Sequence, residues 1–308
     1  MLSIILPTKK RVEIFYETIE CLDKTLKLFD HDYEVLVINN DPDPISFNLP
    51  DYVKIINCDG RGVASARNMG AHNAKGDILL FLDNDILISY EAFIKGYKLF
   101  LKLIKQNENI AINFNWIYPR DVYDLLEKNS FGRYLLYYEF DKYEGKAWTN
   151  RNFDKKVEYQ KTDVFTSSTF FISKSTFNKI GGYTEDFSFA GYEDHNFREK
   201  LLKNNIDIYI LTNTYVFHNE RDYIDLNKFL ERKYRSAFTR KQAVSLGDNE
   251  LILEYSYLKK ILLTIIWPLR NILIYFVNNF SQSKKFDPLM FKIIDTLLAV
   301  YIYKGYNN

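Results

Sequence analysis

The sequence predicts an α/β fold in which helices flank a mostly parallel sheet, followed by a helical C-terminal extension. Two observations lead to this prediction. In residues 1–100, continuous apolar runs of strand length alternate with segments whose apolar residues recur every three or four positions. This alternation is typical of parallel sheets that are covered by helices on both faces. From about residue 222 onward, helical spacing replaces the strand-like runs.

Turn residues separate the predicted elements. The first strands are residues 3–6, 34–38, 53–56 and 78–82, and the helices between them are 12–29 and 62–75, the latter after Gly60-Arg61-Gly62. Further along we expect an irregular region at 110–165, a strand at 165–173, a helix at 193–204 and short strands at 206–211 and 214–217. These patterns predict two domains, residues 1–220 and 221–308.

Composition narrows the class of protein. The 308 residues are 47% hydrophobic and 26% charged, which is typical of a globular chain and excludes a disordered one. The formal net charge of +1 gives no support for nucleic acid as a partner. Two cysteines and a first strand that begins directly after Met1, without a leader pattern, predict a cytoplasmic protein.

Acidic residues follow the strand at 78–82. In parallel sheets the ligand lies beyond the carboxyl ends of the strands, where Asp83, Asn84 and Asp85 are expected. Two carboxylates this close can hold a divalent cation such as Mg²⁺ or Mn²⁺. His218 ends a later apolar run and is a candidate third ligand. The alternatives are a solvated acidic turn and an ordinary hydrogen-bonded histidine.

A second acidic pair, Glu193 and Asp194, opens the predicted helix at 193–204. One interpretation is a favourable interaction of acidic side chains with the helix N-terminus. The other is a general base that takes a proton from an incoming hydroxyl. We expect the same helix N-terminus to keep Asp194 ionised at neutral pH.

Together these segments resemble the family 2 glycosyltransferases of the GT-A fold. The resemblance covers roughly residues 1–220, and its motifs are residues 6–11, 34–38, 62–70, 76–85, 181–183 and 193–194. The segment Tyr192-Glu193-Asp194-His195 is also similar to family 7 galactosyltransferases. The resemblance implies an inverting, metal-dependent enzyme that moves a sugar from a nucleotide-sugar to a hydroxyl of a glycan or lipid-linked acceptor. The resemblance also implies a role in the synthesis of bacterial surface polysaccharide or glycolipid.

The resemblance also assigns roles to individual residues. Asp194 is the implied base, with Glu193 positioning the base or the acceptor. Mn²⁺ or Mg²⁺ is held by Asp83, Asp85 and His218. The residues implied to bind the nucleotide-sugar are Pro7, Thr8, Arg11, Asn39, Asn40, Arg67, Asp83 and Asn84.

The nucleobase contact departs from the family pattern. Where the family usually shows Asp-Asp-Gly-Ser after the second strand, this chain has Asn39-Asn40-Asp41-Pro42. The family's acidic residue accepts the uracil N–H, and an Asn amide oxygen is also an acceptor. A UDP-sugar therefore remains the expected donor.

Two other functions stay open at this point. A sugar nucleotidyltransferase usually carries a glycine-rich loop after its first strand, and residues 6–11 contain no glycine. A catalytically inactive nucleotide-sugar or glycan binding subunit of a membrane assembly complex is the other alternative, although Asp83, Asp85, Asp194 and His218 are present.

The C-terminal region suggests contact with a membrane. The apolar run at 261–277 is about as long as a membrane span, but Pro268 and Arg270 interrupt it. A core helix or a helix lying on the membrane surface is therefore favoured over a spanning helix. We expect peripheral contact through residues 259–303 at the inner face of the cell membrane.

Overall fold

The computed structural model describes residues 1–43, 45, 49–58, 62–280 and 283–308. Gly60 and Arg61 of the predicted loop lie outside the described residues. Internal contacts divide the chain into two units. The sheet unit comprises residues 1–117, 152–188 and 193–219, and the helical unit comprises 118–151, 189–192 and 220–308. The helical unit thus contains the predicted domain 221–308 together with segments that lie earlier in the chain.

The described strands all belong to the sheet unit. They are β1 Leu2–Thr8, β2 Tyr33–Asn39, β3 Val53–Asn57, β4 Ile78–Leu82, β5 Ile86–Leu87, β6 Ile110–Ile117, β7 Tyr159–Thr162, β8 Thr169–Ser173 and β9 Asp207–His218. The helices, in chain order, are α1 Val12–Leu26, α2 Val63–Asn73, α3 Tyr90–Ile104, α4 Arg120–Leu126, α5 Ser130–Tyr137, α6 Lys174–Lys179, α7 Glu193–Lys203, α8 Leu226–Ser245, α9 Tyr257–Ile266, α10 Arg270–Asn279 and α11 Asp287–Tyr306.

Within the described ranges the strands form one nine-stranded sheet in the order β3-β2-β1-β4-β8-β6-β9-β5, with β7 paired to β9. Strands β1 to β4 pair in parallel, as predicted. The second half adds antiparallel pairs, because β8 runs against both β4 and β6. The predicted α/β class with a sheet between helices is confirmed, and the sheet is mixed.

The central strands β1, β4, β6 and β8 are buried on both faces, which explains why they are apolar without alternation. Adjacent residues of a strand point to opposite faces. In β8, Phe170 packs against Phe197 of α7, with ring centroids 5.9 Å apart. The next residue, Phe171, packs against Phe100 of α3 at the same centroid separation of 5.9 Å. The aromatic side chains thus fill the core on both faces.

The prediction of an irregular region at 110–165 was wrong where β6, α4, α5 and β7 lie, and most clearly at β6, its first eight residues. Strand β6 lies between β8 and β9 in the sheet and is almost completely buried. Its Asn113 and Asn115 have the polarity of loop residues, yet both are fully buried. The Asn113 amide donates to the Thr166 carbonyl at 2.8 Å, which compensates for its desolvation. The two short strands expected at 206–217 are one strand, β9.

Helix α11 supplies much of the core of the helical unit. Its buried residues are Met290, Ile294, Leu297, Val300, Tyr301 and Gly305. At Gly305 it approaches α8 so closely that an added Cβ would lie 2.2 Å from the Tyr234 carbonyl oxygen. At the other end, Arg133 of α5 forms an ion pair with Asp287 at 2.7 Å. Helix α11 is therefore a core helix of this unit.

Candidate active site in the sheet unit

Asp85 and His218 are held together by the end of the sheet. Asp85 directly precedes β5, which pairs with β9 so that Ile86 lies opposite His218. The Asn219 backbone N–H also donates to the Asp85 carbonyl at 2.7 Å. As a result, His218 Nε2 lies 3.4 Å from Asp85 Oδ2. The His218 ring packs edge-on against Trp116, with centroids 4.8 Å apart.

The Asp85 carboxylate has an unused acceptor atom. Arg11 Nη1 lies 2.6 Å from Asp85 Oδ2. Burial raises the pKa of Asp85, but the charges of His218 and Arg11 outweigh burial and hold this pKa far below its usual range. Among the described residues, no hydrogen-bond partner reaches the buried Asp85 Oδ1. A carboxylate oxygen of this kind beside an imidazole nitrogen fits a divalent cation such as Mn²⁺.

Arg11 approaches Asp85 from an unusual backbone conformation. Lys10 and Arg11 have φ angles of 53° and 60°, in the left-handed region. Non-glycine residues adopt this region at an energetic cost, and such residues concentrate at functional sites. Arg11 also occupies the N-cap position of α1 without a capping side chain. The segment between β1 and α1 thus directs a guanidinium toward Asp85.

Arg67 joins the two acidic pairs. This side chain is only 3% exposed, and its Nη2 donates to Asp83 Oδ1 at 2.6 Å. Its Nη1 lies 3.4 Å from Glu193 Oε1. The guanidinium also lies 5.2 Å from the centre of the Tyr183 ring. The planar guanidinium can contact two carboxylates and one aromatic ring at the same time.

Asp194 is held in a poorly solvated position. The His195 backbone N–H donates to Asp194 Oδ1 at 2.8 Å. Burial and the neighbouring Glu193 charge nevertheless raise the pKa of Asp194 to about 7. At this pKa Asp194 is only about half ionised at neutral pH, so the helix N-terminus does not keep it fully ionised as expected, because desolvation and the like charge outweigh the helix. Burial also raises the pKa of Asp83, to about 6. The charge of Arg67 lowers this pKa, and the charge of Asp85 raises it.

The residues implied to contact the nucleotide lie at the same edge of the sheet. Pro7 and Thr8 end β1, and Thr8 Oγ1 accepts from the Asn84 amide at 3.0 Å. Asn39 Oδ1 already accepts from the Asp41 N–H, at 3.2 Å. Asn40 is 4% exposed, and its Oδ1 is buried without a partner among the described residues. Of the two asparagines, Asn40 therefore has the acceptor still available.

Asn68 and Tyr183 support the site in ways that were not predicted. Asn68 Oδ1 accepts from the Tyr183 N–H at 2.8 Å, and its amide donates to the Tyr183 carbonyl at 2.9 Å. The Tyr183 hydroxyl donates to Ser167 at 2.8 Å. Two adjacent residues of α2 thus have different roles. Asn68 holds the backbone of Tyr183, and Arg67 contacts Asp83 and Glu193. The sequence contained one signal for the role of Asn68, because this residue directly follows Arg67 in the motif at 62–70.

This sheet, with acids after β4 and at the start of α7, defines the GT-A class of glycosyltransferase folds. A mannosyltransferase from Pyrobaculum calidifontis, solved with GDP-Man and Mn²⁺, shares the fold with a TM-score of 0.53 and 14% identity, over 100% of this chain and 87% of that one. The model of the family described as glycosyltransferase like family 2 matches residues 3–244. The chain therefore belongs to glycosyltransferase family 2, as the resemblance implied.

Two curated relatives share the sequence over shorter parts of their length. Chondroitin synthase of Escherichia coli is 23% identical over 247 residues, which are 71% of this chain and 34% of that protein. An uncharacterized glycosyltransferase of Haemophilus influenzae is 34% identical over 123 residues, or 38% of each chain. The matches thus span between a third and two fifths of these relatives. The expected enzyme class, a glycosyltransferase, is confirmed for this domain.

Proposed function

We propose that the chain is an inverting, metal-dependent glycosyltransferase that moves a sugar from a nucleotide-sugar to a hydroxyl of a glycan or lipid-linked acceptor. One observation carries the proposal. Arg67 contacts both Asp83 and Glu193, so the candidate metal-binding edge and the candidate base lie at one place. A transfer that releases a diphosphate and deprotonates an alcohol needs both functions close together.

Asp83, Asp85 and His218 would hold the cation, which we propose to be Mn²⁺ or Mg²⁺. The unused Asp85 Oδ1 and the adjacent imidazole support this assignment. When bound, the cation supplies charge neutralisation for the diphosphate leaving group. Arg11 adds a fixed positive charge at the same edge, where it can contact donor phosphates.

Asp194 is the proposed base. It would accept the proton of the acceptor hydroxyl, whose oxygen attacks the anomeric carbon on the face opposite the leaving group and so inverts its configuration. A pKa of about 7 suits a general base that operates near neutral pH. Glu193, held by Arg67, would orient the acceptor or the base.

UDP-sugar is the proposed donor, with Asn40 accepting the uracil N–H. The buried, unpartnered Asn40 Oδ1 supports this contact. Guanine also presents N–H donors, and the Pyrobaculum enzyme was solved with GDP-Man. Nucleotide preference is therefore part of the test.

The proposed products are surface polysaccharides or glycolipids made on the cytoplasmic side of the membrane. The similarity to a protein named chondroitin synthase supports a role in polysaccharide synthesis. The acceptor would be a glycan or a lipid-linked sugar, and nucleic acid is not a proposed partner.

A donor screen tests the proposal. UDP- and GDP-sugars are added with Mn²⁺, with Mg²⁺ or with a chelator, while thermal stability and nucleotide release are measured. We expect a metal-dependent rise in Tm with a UDP-sugar, since a ligand that binds the folded state stabilises it. Asp85→Asn should lose the metal dependence, and Asp194→Asn should keep donor binding but lose transfer. Exposed Asp124→Asn is the control.

Three results would count against the proposal. Full transfer activity in Asp194→Asn would contradict the assignment of Asp194 as the base. Donor binding that is unchanged by the chelator would contradict the proposed metal dependence. Pyrophosphate release from a nucleoside triphosphate and a sugar phosphate would indicate a nucleotidyltransferase instead.

Asn40→Ala tests the nucleobase contact. This variant should weaken UDP binding about fivefold, because it removes one hydrogen bond worth about 1 kcal/mol. Asn73→Ala, which replaces an exposed asparagine, should leave UDP binding unchanged.

A further inference from the structure

A stripe of exposed apolar side chains runs along α9 and α10. Its members recur every three or four positions, so they share one side of the helical path. They are Leu258, Leu262, Ile265, Leu269, Ile272 and Phe276, and their exposed fractions range from 44% to 77%. By length and composition, the 23 residues Tyr257–Asn279 could cross a membrane. Their most apolar 18-residue stretch has a mean hydropathy of 1.6, and only 17% of it is buried. A soluble protein rarely exposes a contiguous apolar surface of this kind unless the surface binds something.

The opposite side of the same helices packs into the helical unit. Leu263, Ile274 and Val277 are buried. Trp267 packs against Tyr301 of α11, with ring centroids 5.3 Å apart. The helices are thus attached at several points between residues 263 and 277, which favours a position in the plane of a surface over a span across a bilayer.

Pro268 and Arg270 do not break the exposed stripe. Pro268 lies in a short 3₁₀ turn, Trp267–Leu269, between α9 and α10. The Arg270 guanidinium stacks on the Trp267 ring at 4.2 Å and donates to the Trp267 carbonyl at 3.0 Å. Its charge is therefore on the packed side, and the interruption seen in the sequence does not reach the apolar face.

The charged residues of the segment that carries the stripe are all of one sign. Residues 255–286 contain no Asp or Glu, whereas Lys259, Lys260, Arg270, Lys284 and Lys285 lie within them. The four lysines are exposed, two near the start of α9 and two after α10. An apolar face between basic ends matches a bilayer surface that carries anionic lipid. Two copies of this chain pairing through the same face would bring like charges together.

We propose that α9, the Trp267–Leu269 turn and α10 form a membrane-surface anchor, with the stripe inserted among the acyl chains and the lysines at anionic headgroups. The proposed anchor is shorter than the range 259–303 that the sequence predicts for membrane contact. It leaves out α11, because the apolar side of that helix is buried in the helical unit. It does not depend on the donor, the metal or the base. It would hold the enzyme where lipid-linked acceptors are present.

Vesicle sedimentation of the full chain tests the anchor. The probes are phosphatidylcholine vesicles and the same vesicles with about one third phosphatidylglycerol. We expect at least tenfold stronger binding to the anionic vesicles, weakened by salt because surface charges are screened. Leu262→Ser/Ile265→Ser/Ile272→Ser should lose at least tenfold in binding. The control, Leu125→Ser/Leu246→Ser/Ile252→Ser, replaces three apolar residues outside the stripe that are also exposed, by 38% to 47%.

Charge and topology are tested separately. Lys284→Glu/Lys285→Glu should lose the preference for anionic vesicles. Circular dichroism and nucleotide binding in solution should be unchanged in the variants, which separates a lost anchor from a lost fold. Absence of vesicle binding, equal binding by the triple variant, or a dimer that the triple variant dissociates would overturn the proposal. Resistance to alkaline extraction from membranes would indicate a spanning helix and would also overturn it.

Discussion

Arg67 Nη2 and Asp83 Oδ1 lie 2.6 Å apart, in an ion pair whose arginine is buried. Asp83 lies 16 residues after Arg67 in the sequence, and the same guanidinium reaches Glu193, which lies 126 residues after Arg67. One buried cation therefore balances acids from both halves of the candidate site. Its removal should affect folding as well as catalysis.

Arg67→Ala leaves buried acidic side chains without their counter-ion, so we expect unfolding free energy to fall by about 3 kcal/mol. Arg67→Lys should keep the charge but not the double contact, and transfer should fall at least 100-fold. Thermal unfolding and steady-state transfer measure these effects. Arg120→Ala, which removes a 91% exposed arginine, is the control. Wild-type stability in Arg67→Ala would contradict a structural role for the bridge.

The pH dependence of transfer should follow the ionisation of Asp194. A base with a pKa of about 7 is active only when deprotonated, so kcat/KM should rise about tenfold per pH unit below pH 6 and level off above pH 8. The profile is measured with donor and metal held constant across the series. A flat profile from pH 5 to 8 would indicate a different base.

The same pKa shift predicts a stabilising substitution. The folded-state pKa of Asp194 lies above its ordinary value of 3.8, so the ionised side chain destabilises the fold above pH 7, and this cost disappears as the pH falls below 4. Asp194→Asn should therefore raise the free energy of unfolding by up to about 4 kcal/mol at pH 8, since each pKa unit is worth about 1.4 kcal/mol, and change it little at pH 4. Denaturant unfolding at both pH values is the measurement, with Asp124→Asn as the control. Destabilisation at pH 8 would contradict the shift.

Arg11 should compete with a metal ion for Asp85. Their side chains are paired at 2.6 Å, so a cation that binds Asp85 must overcome the positive charge of Arg11. Arg11→Ala should bind Mn²⁺ about tenfold more tightly in the absence of donor, and should bind the donor more weakly. Loss of the free Mn²⁺ electron paramagnetic resonance signal measures the affinity, and Lys9→Ala, an exposed residue of the same segment, is the control. Weaker Mn²⁺ binding by Arg11→Ala would contradict the competition.

Local patterns were sufficient to predict the elements that carry the site. Apolar runs that end in polar turns located β1, β2 and β4, and the acids after β4 needed only that boundary. The pairing of β5 with β9, which brings His218 to Asp85, joins segments more than 130 residues apart. No local pattern specifies such a pairing.

The errors had a shared physical cause. Asparagines such as Asn113 and Asn115 are typical of a solvated loop, yet both are buried within a central strand. Asp194 was interpreted through the helix it begins, whereas its pKa follows burial and Glu193. In each case the fold changes the solvation of the side chain, and the sequence does not reveal solvation directly.

The edge-on packing of Trp116 against His218 gives the site an optical reporter. Trp116 is one of three tryptophans in the chain and is 2% exposed, so its emission is shielded from solvent quenchers. With Trp148 and Trp267 replaced by Phe, the remaining emission would come from a single indole in van der Waals range of a candidate ligand. Paramagnetic Mn²⁺ at that position would quench the emission, and diamagnetic Mg²⁺ would restore it by exchange. Occupancy of the site can thus be followed by fluorescence before any sugar donor or acceptor is identified.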